Sequence, residues 1–124
     1  MLVDTDVLID YLKGNPSAEQ FIEQNIDQVS VSAMTVAELY QGIRNKKEEA
    51  TLDQFISELR VFSITGDIAI KAGLLRNEYR KSHSSGLADC IIAATSMTHG
   101  IKLATLNLKH FPMLETAMAP YEKS

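Results

Sequence analysis

Three acidic residues far apart in the chain follow predicted strands or begin predicted helices. Asp4 comes directly after the apolar segment Met1 to Val3, Glu38 is expected in the first turn of the helix after the second strand, and Asp89 is expected in the first turn of an apolar helix. Because ligands of an open α/β sheet bind outside the carboxyl ends of its strands, we expect these side chains to meet at one edge. Gathered carboxylates repel one another unless a proton or cation relieves them. The pattern predicts a Mg²⁺ or Mn²⁺ site that activates water for attack on a phosphodiester.

Two further polar residues lie in similar positions. Asp6 is two residues past Asp4, and Asn107 follows the strand predicted over Lys102 to Thr105. Asp6 is interpreted as a supporting residue of the site. Asn107 is a catalytic candidate, because its side-chain amide offers an oxygen to a metal or to a ligated water.

Each acid also has a purely structural interpretation. Asp4 would suit a turn and Asp6 a helix N-cap. Glu38 has the spacing of a capping box with Thr35, which would begin the helix. Asp89 lies in an otherwise apolar run, where a helix N-terminus favours an acid. Since acids are rarely buried without a partner, a cavity beside Asp89 is the second explanation.

Strands and helices alternate along the chain, which predicts an α/β fold with a parallel sheet covered on both faces. Strands are predicted over residues 1–3, 29–32, 61–64 and 102–105, with a possible short strand near 117–119. A helix from Thr5 or Asp6 to Lys13 ends at Gly14, and Asn15-Pro16 has the N-cap and first-position pattern of the next. Gly100 ends the helix that carries Asp89. Residues 82–86 form a predicted polar loop.

Composition limits the possible classes of protein. The 124 residues, 45% hydrophobic and 23% charged, predict a single domain over 1–124. The net charge of −4 lacks the basic excess usual for binding nucleic acid through phosphates alone, although acids gathered for metal binding also make a chain negative. The single cysteine, Cys90, excludes a disulfide framework. The absence of a long apolar segment or an apparent signal peptide predicts no membrane association and a cytoplasmic location.

Four short motifs resemble, in order, those of the PIN-domain family, and most nearly its VapC toxin branch. They are Val-Asp-Thr-Asp-Val-Leu-Ile-Asp at 3–10, Thr-Val-Ala-Glu-Leu-Tyr-Gln-Gly-Ile at 35–43, Leu-Ala-Asp-Cys-Ile-Ile-Ala-Ala at 87–94 and Ala-Thr-Leu-Asn-Leu-Lys-His-Phe at 104–111. Each motif is weak alone, but four in sequence are specific. Together they cover nearly the whole chain.

The resemblance implies a three-layer α/β/α sandwich with a four- or five-stranded, mainly parallel sheet. It implies Mg²⁺- or Mn²⁺-dependent endonucleolytic cleavage of RNA that leaves a 3′-hydroxyl and a 5′-phosphate. Asp4, Glu38 and Asp89 would be the metal-binding acids of the family. The implied partners are an antitoxin protein that blocks the cleft and a second copy of the toxin chain in a homodimer.

The last motif departs from the family pattern. Asn107 is an amide at or near a position where many relatives carry a fourth acid, and His110 stands where another acid sometimes occurs. The resemblance therefore leaves open whether one or two metal ions bind. Thr105 is expected to add a hydroxyl to the site. His110 is either a proton shuttle or a packing or surface residue.

Basic residues suggest how RNA would be held. Contacts between basic side chains and RNA phosphates supply affinity but do not depend on the base sequence. The candidates for such contacts are Arg44, Arg76, Arg80 and Lys109. The alternative is a solvated helix surface whose counter-charges are Glu48, Glu49 and Glu78.

Two other functions are open at this point. Asp4-Thr5-Asp6 is similar to the opening motif of haloacid dehalogenase-type phosphatases, in which the first aspartate is a nucleophile. However, the sequence has no paired-acid motif, and Glu38 would have no role in such an enzyme. The second alternative is a non-catalytic binding module that retains the PIN fold.

Overall fold

The computed structural model describes residues 1–81 and 85–122, so residues 82–84 of the predicted polar loop lie outside the described residues. A four-stranded sheet forms the middle layer. Every strand pair in it is parallel, and the strand order is β3-β2-β1-β4. The strands are β1 Leu2–Val3, β2 Ser30–Ser32, β3 Arg60–Phe62 and β4 Leu103–Ala104. The predicted parallel α/β sheet is confirmed, with strands shorter than expected.

Six helices connect the strands. They are α1 Thr5–Leu12, α2 Pro16–Gln24, α3 Ala33–Gln41, α4 Lys46–Ser57, α5 Gly66–Tyr79 and α6 Leu87–His99, with short 3-10 turns at Ile26–Gln28 and Leu108–His110. Gly100 ends α6 at φ +61°, a left-handed conformation that favours glycine. Asn15 caps α2 by accepting the Ala18 N–H, as its sequence predicted. None of the described helices is long and apolar enough to cross a membrane.

Helix α3 begins earlier than the sequence predicted. Its N-cap is Ser32, whose Oγ accepts the backbone N–H of Met34, so the helix begins at Ala33. Thr35 is therefore the third residue of the helix and not its cap. The predicted capping box of Thr35 and Glu38 is wrong, and Glu38 lies in the second turn. The reason is that strand β2 passes into the helix without a loop, and Ser32 takes the capping role first.

Two apolar cores lie on opposite faces of the sheet. Neighbouring residues of a strand point to opposite sides, so Leu2 and Val3 belong to different cores. The Leu2 core is built with α5 and α6 and includes Ile68, Ile92 and Phe111. The Val3 core is built with α1 to α4, and its members include Leu8, Ile22, Leu39 and Phe55. This arrangement is the predicted three-layer α/β/α sandwich.

The predicted fifth strand is reduced to a one-residue bridge. Met118 donates its N–H to the Leu103 carbonyl and accepts the N–H of Thr105, both at 2.9 Å. Pro120 follows two residues later and has no N–H to extend the ladder. Beyond it, the Tyr121 hydroxyl donates to Asp10 Oδ2 at 3.0 Å and fastens the segment to α1.

Candidate active site

The candidate site lies at the point where the strand order of the sheet reverses. From β1 the chain builds β2 and β3 on one side and β4 on the other, which makes the carboxyl ends of β1 and β4 the switch point at which α/β proteins bind ligands. Asp4 follows β1, and Thr105 follows β4. The Thr105 hydroxyl donates to Asp4 Oδ2 at 2.7 Å, so the first and fourth motifs meet at this point.

Asp4 is buried, with 6% of its surface exposed. It is the N-cap of α1, and its Oδ1 accepts the backbone N–H of Thr5 at 2.8 Å. Both of its carboxylate oxygens thus accept hydrogen bonds from uncharged donors. These bonds fix the orientation of the carboxylate but do not neutralise its charge.

The neighbouring acids act on Asp4 electrostatically. Burial raises the pKa of Asp4 from its ordinary value of 3.8 to about 7, the negative charge of Asp6 adds to the rise, and that of Asp89 adds a smaller part. The hydrogen bonds from Thr105 and Thr5 oppose the rise. Asp6 and Asp89 therefore both lie within electrostatic reach of Asp4. This proximity agrees with the expected meeting of the first and third motifs.

Glu38 reaches the same place through Thr5. The Thr5 hydroxyl donates to Glu38 Oε1 at 2.6 Å, and the Thr35 hydroxyl lies 3.0 Å from the Thr5 hydroxyl. Because Thr5 follows Asp4 directly, the second motif is joined to the first. The sequence did not indicate Thr5 or Thr35 as site residues, since both matched helix-start signals. A threonine directly after an acid that ends a strand was the only available clue.

Asp6 and Asn107 form a second link between distant segments. Asp6 Oδ2 accepts the side-chain N–H of Asn107 at 2.8 Å and the backbone N–H of Leu106 at 3.2 Å. The backbone N–H of Asn107 in turn donates to Thr105 Oγ1 at 3.0 Å. Asp6 lies in the first turn of α1 and is not its N-cap, so that alternative is wrong. Its carboxylate instead holds the segment after β4 against the site.

Asp89 is the third residue of α6, as predicted. Its Oδ2 accepts the backbone N–H of Gly86 at 3.2 Å, which is the capping interaction of the structural interpretation. The same oxygen lies 3.6 Å from His110 Nδ1, and both side chains are partly exposed. The hydroxyl of Ser85, just before α6, donates a hydrogen bond to the carbonyl of His110, which lies after β4. The Asp89 carboxylate therefore caps α6 and also contacts the segment after β4 through His110.

The predicted RNA-binding residues differ in their exposure and in their partners. Arg44 is highly exposed and pairs with Glu48 at 2.7 Å, which is the counter-charge arrangement of the alternative interpretation. Arg80 and Lys109 are exposed, and Arg76 is half-buried. The positive charge of Arg76 opposes the rise that burial causes in the pKa of Cys90, so Arg76 lies on the α6 side of α5.

A groove leads away from the site between α1, α3 and α4. It has a volume of about 920 Å³ and reaches from Glu38 to the start of α4. Its apolar lining consists mainly of Ile9, Leu12, Leu39, Ile43 and Leu52. Its charged lining consists of the cations Lys13, Arg44 and Lys47 and the acids Glu38 and Glu48, of which Glu48 pairs with Arg44. The groove therefore combines an apolar floor with cationic side chains next to a predicted catalytic acid.

Within residues 1–81 and 85–122, no group of three or more His, Cys, Asp or Glu side chains is placed so that it could hold a metal ion. Mg²⁺ commonly binds through one or two carboxylates and keeps several waters, so a three-carboxylate cluster is not a requirement for it. The assignment of Asp4, Glu38 and Asp89 as metal ligands remains a prediction.

Comparison with known proteins places this geometry in a family. The family model described as PIN domain matches residues 1–112. The chain belongs to the PIN domain family. Membership agrees with the four motifs and with the sheet order of the fold. Membership in this family gives no support to the alternative that the chain is a haloacid dehalogenase-type phosphatase.

Several relatives of this PIN domain have names that describe an activity. It is 37% identical to "Ribonuclease VapC10" and 35% identical to "Ribonuclease VapC19", both from Mycobacterium tuberculosis, and the matches cover 98% and 97% of this chain and 92% and 98% of theirs. Its structure resembles a chain of a toxin–antitoxin complex from Klebsiella pneumoniae, with a TM-score of 0.85, 33% identity and 98% of both chains covered. It also resembles a chain of DNA-bound VapBC from Salmonella typhimurium, with a TM-score of 0.79, 27% identity and 95% and 94% coverage.

Proposed function

We propose that this PIN domain is a metal-dependent endoribonuclease and the toxin of a toxin–antitoxin pair. The observation that carries the proposal is the hydrogen-bonded link from Thr105 through Asp4 and Thr5 to Glu38 at the switch point of the sheet. The ribonuclease names of relatives covered over nearly their whole length support the same activity.

The donor set at the site suits a hard divalent cation. Asp4, Glu38 and Asp89 offer carboxylate oxygens, which Mg²⁺ and Mn²⁺ prefer. A cation would stabilise the ionised form of Asp4, whose pKa is raised by burial and by the charges of Asp6 and Asp89. One or two of these carboxylates would hold the ion directly and the others would act through its ligated waters, with Asn107 as a further oxygen donor. When bound, the ion supplies an activated water and stabilises the charge that develops on a phosphodiester.

The protein residues around the ion have separate tasks. Thr105 orients Asp4 through Oδ2, and Thr5 orients it through Oδ1. Asp6 holds Asn107 and the segment after β4 in place. The exposed cations Arg80 and Lys109 are the proposed phosphate contacts, together with Arg44 once it leaves Glu48, since an exposed ion pair of this kind contributes little stability.

The proposed protein partner is an antitoxin. The similar chains from Klebsiella pneumoniae and Salmonella typhimurium come from a toxin–antitoxin complex and a VapBC complex. The groove that begins at Glu38 offers an apolar floor and cationic side chains to a partner segment carrying apolar and acidic residues. A segment bound there would lie against the site and block access of RNA.

A homodimer is proposed through the outer face of α5. Ile70 and Leu74 are each 64% exposed on this face, and Gly73 between them has open space where a Cβ would lie. The helix is acidic at its start, with Asp67, and basic after its end, with Arg80. An antiparallel pairing of two α5 helices would cover the leucine and isoleucine side chains and bring opposite charges together.

The decisive experiment is cleavage of a structured RNA by the purified chain with Mg²⁺ or Mn²⁺, compared with Asp4→Asn, Glu38→Gln and Asp89→Asn. Asp67→Asn is the matched control, because Asp67 is also a first-turn helix acid but is exposed on α5. We expect metal-dependent cleavage that the three site variants lose and the control retains. Metal binding without cleavage of any RNA would favour the non-catalytic binding module. Equal cleavage by all variants would contradict the assignment.

A further inference from the structure

We infer that Thr5 and Thr35 are positioning residues that hold the Glu38 carboxylate beside Asp4, an inference that rests on the proposed function. Thr5 Oγ1 lies 2.6 Å from Glu38 Oε1 and 3.0 Å from Thr35 Oγ1. The three groups come from α1 and from two turns of α3. They form a short chain of hydrogen bonds that ends on a predicted metal ligand.

The direction of this chain follows from the number of protons. A hydroxyl carries one proton, whereas an ionised carboxylate only accepts. With the Thr5 proton committed to Glu38, Thr35 must donate to Thr5. Each donor strengthens the next in such a chain, so Thr35 acts on Glu38 through Thr5.

Burial protects the chain from competition with water. Thr35 is fully buried, and Thr5 is 9% exposed. The Thr5–Glu38 distance of 2.6 Å is typical of a hydroxyl bound to a charged carboxylate, which is among the stronger hydrogen bonds in proteins. Both threonines are also β-branched, and their χ1 angles have few alternatives. The hydroxyls are therefore held in place before any ligand arrives.

Thr5 also controls Asp4 through its backbone. Its N–H donates to Asp4 Oδ1 at 2.8 Å, while its hydroxyl donates to Glu38. One residue thus fixes two carboxylates that come from different parts of the chain. Partners that orient metal ligands in this way typically change metal affinity or activity by about 10- to 100-fold when they are removed.

The test compares Thr5→Val, Thr5→Ser and Thr35→Val with the unmodified chain. Valine keeps the shape and removes the hydroxyl, whereas serine restores it. The matched control is Thr95→Val, because Thr95 is fully buried and its hydroxyl bonds to the Ile91 carbonyl within α6. The measurements are Mn²⁺ affinity by calorimetry without RNA, and kcat and KM for RNA cleavage. Glu38→Gln is included as the reference for loss of the carboxylate.

We expect Thr5→Val to weaken Mn²⁺ binding and lower kcat by about 10- to 100-fold with little change in KM. Thr5→Ser should recover most of both, Thr35→Val should show a smaller loss, and Thr95→Val should show none. If Glu38→Gln is impaired but Thr5→Val matches Thr95→Val, the positioning role is wrong and the proposed function stands. If Glu38→Gln is fully active, the proposed function fails at this residue. If Thr5→Val does not fold, unchanged Mn²⁺ affinity in Thr35→Val would overturn the inference.

Discussion

Asn107 and Asp6 are 101 residues apart in the chain, yet Asn107 Nδ2 donates to Asp6 Oδ2 at 2.8 Å. The amide is therefore suited to its position beside an acid, because it donates a hydrogen bond where a carboxylate would repel. This contact gives a structural reason for the amide at Asn107, where the last motif departs from the family pattern of a fourth acid. It joins the start of α1 to the segment that follows β4.

Replacing Asn107 by aspartate should destabilise the chain in the absence of divalent cations. Asn107→Asp exchanges the hydrogen bond to Asp6 for a repulsive pair, at a cost of about 1–3 kcal/mol in the free energy of unfolding. Thermal unfolding in EDTA checks the loss, and added Mg²⁺ should restore more stability to the variant than to the unmodified chain. Asn77→Asp, at an exposed position of α5, is the control. Equal stability of the two variants in EDTA would contradict the prediction.

The raised pKa of Asp4 predicts a stability that falls with pH in the metal-free protein. The folded chain keeps a proton on Asp4 up to about pH 7, whereas the unfolded chain releases it near pH 4. Between these values the folded state binds more protons, so its stability decreases as pH rises, by up to about 1.4 kcal/mol per pH unit.

Urea unfolding in EDTA at pH 5, 6 and 7 measures this slope. Asp4→Asn cannot ionise at this position, so its slope should be shallower than that of the unmodified chain. Parallel curves for the two proteins would show that Asp4 titrates normally.

Divalent cations should stabilise the folded chain through the same acids. A ligand present at about 100 times its dissociation constant adds about 2.7 kcal/mol to the free energy of unfolding. We expect Mg²⁺ or Mn²⁺ to raise the melting temperature of the unmodified chain and of Asp67→Asn. Asp4→Asn and Asp89→Asn should respond much less. A rise that is equal in all four proteins would indicate binding elsewhere.

The contact between Tyr121 and Asp10 should contribute measurable stability. Tyr121→Phe removes the hydrogen bond to Asp10 Oδ2 but keeps the ring, and it should lower the free energy of unfolding by about 0.5–1.5 kcal/mol. The double variant with Asp10→Ala, which has no acceptor for the Tyr121 hydroxyl, tests whether the two residues act through each other. Strictly additive losses in the three variants would mean that the bond contributes nothing.

Charge placed on the outer face of α5 should dissociate the proposed homodimer. Leu74→Glu puts a carboxylate where a second α5 would pack, and we expect a monomer in sedimentation velocity at concentrations that keep the unmodified chain dimeric. Leu108→Glu, at another exposed leucine, should remain dimeric. An unmodified chain that is monomeric throughout would contradict the dimer itself.

Local signals in the sequence were sufficient to predict the ends of several helices. Asn15-Pro16 and Gly100 predicted helix ends correctly, because capping depends on residues only a few positions apart. Asp89 stood out as a single acid in an apolar run, and its position in the first turn of α6 is confirmed. The start of α3 was misplaced because Ser32 and Thr35 are both good caps, and only the end of β2 decides between them.

The contacts within the site were less accessible from the sequence. Thr5 and Glu38 are 33 residues apart, and their hydrogen bond depends on how α1 and α3 pack on the sheet. The contact between His110 and Asp89 likewise depends on the path of the chain after β4. Position along the strands led to the expectation that the acids lie at one edge of the sheet, but it did not indicate which uncharged side chains bond to them.

Strand β1 has only two residues, and each is anchored in a different core. Asp4 follows at once, with its own N–H bonded to the Ala104 carbonyl at 2.9 Å, and α1 begins at the next residue. No hinge therefore separates this carboxylate from the interior of the molecule. Its amide hydrogen should exchange with solvent only when the entire domain opens, so we expect a partner that inhibits the proposed nuclease to cover this carboxylate and not to move it.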